Sequence, residues 1–148
     1  MRAFLCLLFP LILLASCGPD YVYEKEVAPP DGYWAYQDSL QAKFSIADTN
    51  AIYNLHLVLE HGVDFPYQNF YVCLHTRFPD GQRLTEQLSL ELSVQGGVWL
   101  GDCSGERCTL DIPIQEGAYF DQAGDYELTI EQFSRKELLP AIHRVYFV

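Results

Sequence analysis

Apolar side chains recur at every second position through most of this chain, and that period restricts it to sheet structure. Within residues 51–61, Tyr53, Leu55, Leu57 and Leu59 fall on one side, with Asn54, His56 and Glu60 on the other. A helix would scatter these residues around its circumference, whereas a strand gathers them on one buried face. Residues 69–78 repeat the pattern through Phe70, Val72, Leu74, Thr76 and Phe78. It returns at Leu88, Leu90, Leu92 and Val94, at Cys108, Leu110, Ile112 and Ile114, and at Tyr126, Leu128 and Ile130, with Val145 and Phe147 closing the chain. Residues 21–27 and 43–47 are weaker strand candidates. Turn-forming residues fall between the runs, as in Pro29-Pro30-Asp31-Gly32, Pro79-Asp80-Gly81, Gly96-Gly97, Ser104-Gly105 and Gly124-Asp125. Pro113 cannot donate to a ladder, so its strand is expected at an edge or bulged. Residues 134–139, stopped by Pro140, are the one stretch that reads as a helical turn. The pattern predicts an all-β fold, an antiparallel β-sandwich of about seven to eight strands.

The chain has 148 residues, room for one domain, and 49% of them are hydrophobic, enough to build a core. Nine Lys and Arg stand against twenty Asp and Glu, a net charge of −11. A surface this acidic repels phosphate backbones, which excludes nucleic acid as a partner. It equally excludes adsorption to anionic lipid through a basic patch.

The N-terminus has a different chemistry. Met1-Arg2 precedes an apolar run over residues 3–15, broken only by Pro10, which is too short to span a bilayer and has the length of a signal-peptide core. It ends in Leu14-Ala15-Ser16-Cys17, which resembles the lipobox of bacterial lipoproteins. That resemblance implies attachment of diacylglycerol to the Cys17 thiol, cleavage before Cys17 and acylation of the new amine. Several acyl chains hold stably where one does not, since each buried methylene adds about 0.8 kcal/mol. The expected organisation is a signal peptide over 1–16, a lipidated tether over 17–20 and a β-sandwich domain over 21–148. A single acid, Asp20, lies close behind Cys17, which reads as a periplasm-facing anchor with the choice of inner or outer membrane left open.

Of the five cysteines, Cys6 leaves with the signal peptide and Cys17 takes lipid. Cys103 and Cys108 flank Ser104-Gly105-Glu106-Arg107, a spacing that can close a small loop at a hairpin tip, and because an exported protein meets an oxidising compartment a disulfide between them is the leading reading. Cys108 is also in phase with Leu110 and can simply point inward. Zinc would need two further ligands at a usual spacing. Cys73 reads as a small buried or half-buried residue. Gly101-Asp102-Cys103-Ser104-Gly105 looks like the nucleophile loop of trypsin-like proteases, but Cys103 interrupts that motif and the chain is too short for the fold. His56, His61, His75 and His143 are scattered, with no ligand spacing between them. No catalytic residue, metal, cofactor or small-molecule substrate is expected. Tyr33, Trp34, Tyr36, Tyr67, Tyr71 and Trp99 could instead make a platform for sugar rings, although the core is the favoured place for Trp34 and Trp99, the latter being flanked by apolar Val98 and Leu100.

Read in order, Tyr67-Gln68-Asn69-Phe70-Tyr71, Phe78-Pro79-Asp80-Gly81, Gly97-Val98-Trp99-Leu100-Gly101, Gly124-Asp125-Tyr126 and Ile130-Glu131-Gln132, with Ile142-His143-Arg144-Val145 after them, resemble the gliding-motility lipoprotein family GldH of Bacteroidota. The likeness covers nearly all of the chain after the signal peptide. It departs at Phe133-Ser134-Arg135, where the family usually has Met-Arg, and at residues 103–108, where it usually has a Gly-rich loop. The resemblance implies a non-enzymatic, membrane-anchored scaffold or assembly component of the gliding and type IX secretion apparatus, with envelope proteins as partners. The alternative is a lipid-anchored carbohydrate-binding module. Trp34, Trp99, Asp102 and Glu106 are the candidate partner or ligand surface.

Overall fold

The computed structural model describes residues 21–148, so the signal peptide, Cys17 and the tether over 17–20 lie outside the described residues. In chain order the strands are β1 (Lys25–Val27), β2 (Trp34–Ala35), β3 (Leu40–Ile46), β4 (Tyr53–Gly62), β5 (Asn69–Arg77), β6 (Arg83–Glu91) and β7 (Ser93–Val94). They continue as β8 (Val98–Trp99), β9 (Asp102–Ser104), β10 (Arg107–Ala118), β11 (Gly124–Gln132), β12 (Leu138–Leu139) and β13 (Ile142–Phe147). The fold is a β-sandwich. One sheet has five strands in the order β1-β13-β4-β10-β9, and the other has four in the order β3-β11-β5-β6. All the pairings are antiparallel. The two principal sheets thus hold nine strands, and the ribbons β2–β12 and β7–β8 add two-residue pairs too short to show a period.

The alternation explains the core. Leu57 and Leu59 of β4 with Val145 and Phe147 of β13 meet Phe70, Val72 and Leu74 of β5 and Leu128 and Ile130 of β11 in one buried cluster. At one end Phe44 stacks on Tyr126 with ring centroids 5.5 Å apart, and Phe120 and Phe78 stand edge-on to Tyr126. The Tyr126 hydroxyl donates to the Gln122 carbonyl at 2.9 Å, so this buried phenol is satisfied. Pro113 lies where β9, which covers only Arg107–Thr109, no longer protects β10, and the register with β4 shifts just beyond it.

Two expectations are corrected. Val94 is in phase with Leu90 and Leu92 yet is exposed, because the chain leaves the sheet at Leu92, whose N–H donates to the Gln68 carbonyl. Residues 134–139 form no helix. The Phe133 N–H is taken by the Tyr71 carbonyl, and the carbonyls of Lys136 and Glu137 are taken by a side chain described below. A 3-10 turn forms instead at Pro30–Gly32.

The registers also sort the loops. Segments 47–52, 78–82 and 119–123 share the end where the chain enters through β1. Segments 63–68, 92–106 and 133–141 share the other.

Candidate functional site

At the end remote from the chain entry, an open groove of about 1090 Å³ runs between the 133–137 loop and the start of β5. Its rim carries Tyr36, Tyr71 and Phe133, each about half exposed, and its floor includes Phe70 and Leu139. One residue shapes it. Gln132 is in phase with Tyr126, Leu128 and Ile130, so its amide points inward and is 3% exposed. The Gln132 Nε2 donates to the carbonyls of Lys136 and Glu137, both at 3.0 Å, and its Oε1 accepts the Ser134 N–H at 3.0 Å. The amide therefore closes the loop on itself by main-chain groups alone. The Tyr36 hydroxyl donates to the Ser134 carbonyl from across the groove. Beside the loop, Glu131 accepts the Ser39 hydroxyl at 2.5 Å and faces His75 Nε2 at 3.4 Å.

The 92–106 segment makes a second surface at the same end. The positive φ angles of Gly96 and Gly97 turn β7 into β8. Gly101 then passes so close to β10 that a Cβ would lie 2.4 Å from the Thr109 carbonyl oxygen. Between these glycines Trp99 leans over His61, with centroids 4.7 Å apart, and is half-buried against the core edge. Trp99→Ala is expected to cost about 2 kcal/mol, the value of a half-buried aromatic, readable as a lower urea midpoint at unchanged m.

Cys103 and Cys108 face each other across the β9–β10 ladder with Cα atoms 4.0 Å apart and their sulfurs at bonding distance. Cys108 is buried and Cys103 exposed, so inward phase and pairing hold together. Burial first, and then the Glu131 carboxylate, push up the thiol pKa of half-buried Cys73, which leaves it a poor nucleophile. The bridge is expected as two missing hydrogens in non-reducing mass spectrometry, and opening so small a loop should cost at most about 2–3 kcal/mol. Three or more free thiols in protein isolated from the envelope, where Cys17 is blocked, would rule it out.

Asp102 and Glu106 are both exposed at this tip, which the Val63 N–H holds through the Glu106 carbonyl at 3.0 Å. Trp34 is elsewhere and fully buried, so it offers no face to a ligand. Of the aromatics read as a platform, Tyr33, Tyr36 and Tyr71 are exposed and Tyr67 and Trp99 are half-buried. The groove itself escapes a reading along the chain because its walls come from segments about a hundred positions apart. Gln132 did leave a signal, a polar residue in the buried phase of a strand.

His61 is a buried titratable group, 1% exposed. Its Nδ1 lies 2.9 Å from the Gly62 carbonyl, to which it donates. Burial lowers its pKa below the ordinary 6.5, the Gly62 bond opposes this, and nearby His143 adds to the lowering. The unfolded chain therefore binds this proton first as pH falls. Stability from His61 is complete above about 6.5 and declines below it, down to the depressed folded value. The melting temperature should fall as the pH drops below about 6.5, and His61→Phe should flatten that part of the profile. Asp80, held low by the Gln82 N–H, and Glu127, held low by Lys43, lose their contribution further down, from the usual carboxylate range through their depressed folded values.

The fold and this end of it define an all-β sandwich domain with an open, aromatic-rimmed groove. A family model described as GldH lipoprotein matches residues 21–147, the whole described domain but its last residue, and the chain belongs to that family. It is similar to the gliding motility lipoprotein GldH homolog of Christiangramia forsetii, at 25% identity over 129 residues, 87% of this chain and 78% of that protein.

Proposed function

We propose that the chain is a lipid-anchored, periplasm-facing protein of the cell envelope that acts as a non-enzymatic scaffold or assembly component of the gliding and type IX secretion apparatus. The observation that carries this reading is where exposed apolar side chains gather. Tyr36, Tyr71, Val94, Val98, Phe133 and Leu138 all lie at the end opposite the chain entry, on loops and on the short strands and strand ends beside them. Such a patch on an acidic domain suits contact with a protein partner. The anchor is Cys17, so the partner end projects away from the tether.

Two variants test the parts separately. Cys17→Ala should leave an uncleaved precursor without labelled fatty acid, and wild-type labelling of that variant sinks the anchor. Phe133→Asp and Glu106→Ala should melt like wild type yet lose the gliding or secretion components recovered by affinity purification from detergent-solubilised envelope. Undiminished recovery by both variants overturns the assignment of this end.

A further inference from the structure

β6 is a free edge. It closes the four-stranded sheet on one side, whereas β3, on the other, lies beside β1 of the facing sheet. Its nine residues keep unbroken register with β5, from Asn69 opposite Glu91 to Arg77 opposite Arg83. It contains no Pro, Gly or Lys, and seven of its nine side chains are exposed. Sheet proteins ordinarily shorten, bulge or cover such an edge, because its unpaired N–H and C=O groups invite another strand.

The charges on its outer face are unbalanced in a particular way. One cross-strand row reads Lys43, Glu127, Arg77, Arg83, ending at the edge on two neighbouring cations. Glu127 is held by Lys43 at 2.9 Å. Among the described residues, neither Arg77 nor Arg83 has a carboxylate within 4.0 Å, and Glu91 at the far end of β6 has no cation within that distance. Like charges directly opposite on neighbouring strands are destabilising. Arg83 thus presents a cation at the open edge, and Glu91, whose Oε1 accepts the Ser89 hydroxyl at 2.8 Å and the Asn69 amide at 3.4 Å, presents an anion.

We propose that β6 pairs with β6 of a second copy of this chain, antiparallel about a two-fold axis through Gln87. This register sets Arg83 opposite Glu91 of the second copy, and Glu91 opposite its Arg83, so each unbalanced charge is met twice per dimer. Thr85 faces Ser89 and Gln87 faces Gln87 on the same side. On the other side Leu84 faces Leu90, and Glu86 faces Leu88 rather than an acid, with the two Glu86 carboxylates diagonal and open to water. A closed isologous pair is the commonest oligomer, and here it joins two four-stranded sheets into one of eight. The axis stands normal to the sheet. Both five-stranded sheets then lie on one face of the eight-stranded sheet, with the two chain entries through β1 at opposite ends of the pair along the strand direction.

The test uses the full chain in isolated envelope membranes. Cys73 is the register partner of Gln87 on β5, so it is replaced first by Ser. In that background Gln87→Cys should form a disulfide-linked species of twice the monomer mass under mild oxidant. Thr85→Cys alone should not, because its own copy lies four residues away along the strand. Thr85→Cys mixed with Ser89→Cys should link. Arg83→Glu or Glu91→Arg, added to Gln87→Cys, should each lower the linked fraction about tenfold, from four interactions of the usual cross-strand size. The double exchange should restore it, which a mere folding defect would not. Linking of Thr85→Cys alone, failure of Gln87→Cys to link, cross-linking only to a different protein, or no rescue by the double exchange each overturns the proposal.

Discussion

Replacing Trp34 with Ala should cost about 3–5 kcal/mol, a large share of the stability of a domain this size. Trp34 is fully buried, sits edge-on to Phe70 at 6.0 Å and donates its indole N–H to the Asp38 carbonyl at 2.8 Å. Its strand pairs Trp34 with Leu139, which is also fully buried, so the ring pins the β2–β12 ribbon over the end of the core. Removing it leaves a void, an unpaired carbonyl and a loosened ribbon together. Urea unfolding of the Ala variant gives the cost, and Trp34→Phe should recover most of the packing but not the hydrogen bond. A carbohydrate platform built on Trp34 requires the reverse, near-normal melting with lost binding to polysaccharide. Wild-type melting of Trp34→Ala, together with lost glycan binding, would overturn the core assignment and favour the sugar-binding alternative.

Gln132→Glu should be nearly as costly, about 3–4 kcal/mol, although it changes no volume. The two carbonyls that now accept from Nε2 would face a carboxylate oxygen in a buried position. Either the loop opens to hydrate the charge or the acid stays protonated. The first outcome has a direct readout, because Arg135 and Lys136 lie inside the clamped loop and are trypsin sites. Cleavage there should accelerate in Gln132→Glu well before global unfolding. Gln132→Leu should be milder, because three main-chain groups lose a partner but no charge is buried. Equal tryptic rates in wild type and Gln132→Glu would show that the amide does not hold the loop.

The architecture was legible wherever a strand is long and has one wet face. β4, β5 and β11 each show their buried side chains at every second residue, and the same residues fill the core. Strands of two residues carry no period, so β2, β7, β8 and β12 could not be read. Val94 kept the phase of its neighbours after the chain had already left the sheet, since periodicity reports side-chain spacing and not where a ladder ends. The 134–139 stretch misled for a related reason. Its carbonyls are claimed by Gln132, announced only by that residue's polar side chain in the buried phase of the preceding strand. The Cys103–Cys108 spacing was informative because both ends of a tight hairpin lie within one short window. The groove was not, because Tyr36 and Ser134 are brought together only by the finished sandwich.

The Gln132 clamp touches the loop only through Ser134 N–H and the carbonyls of Lys136 and Glu137. Every residue type but proline offers those groups, so the clamp cannot distinguish one loop sequence from another. Shape and identity are thereby inherited separately. Substitutions at 133, 135 and 136 should therefore change the surface this loop displays without lowering the melting temperature.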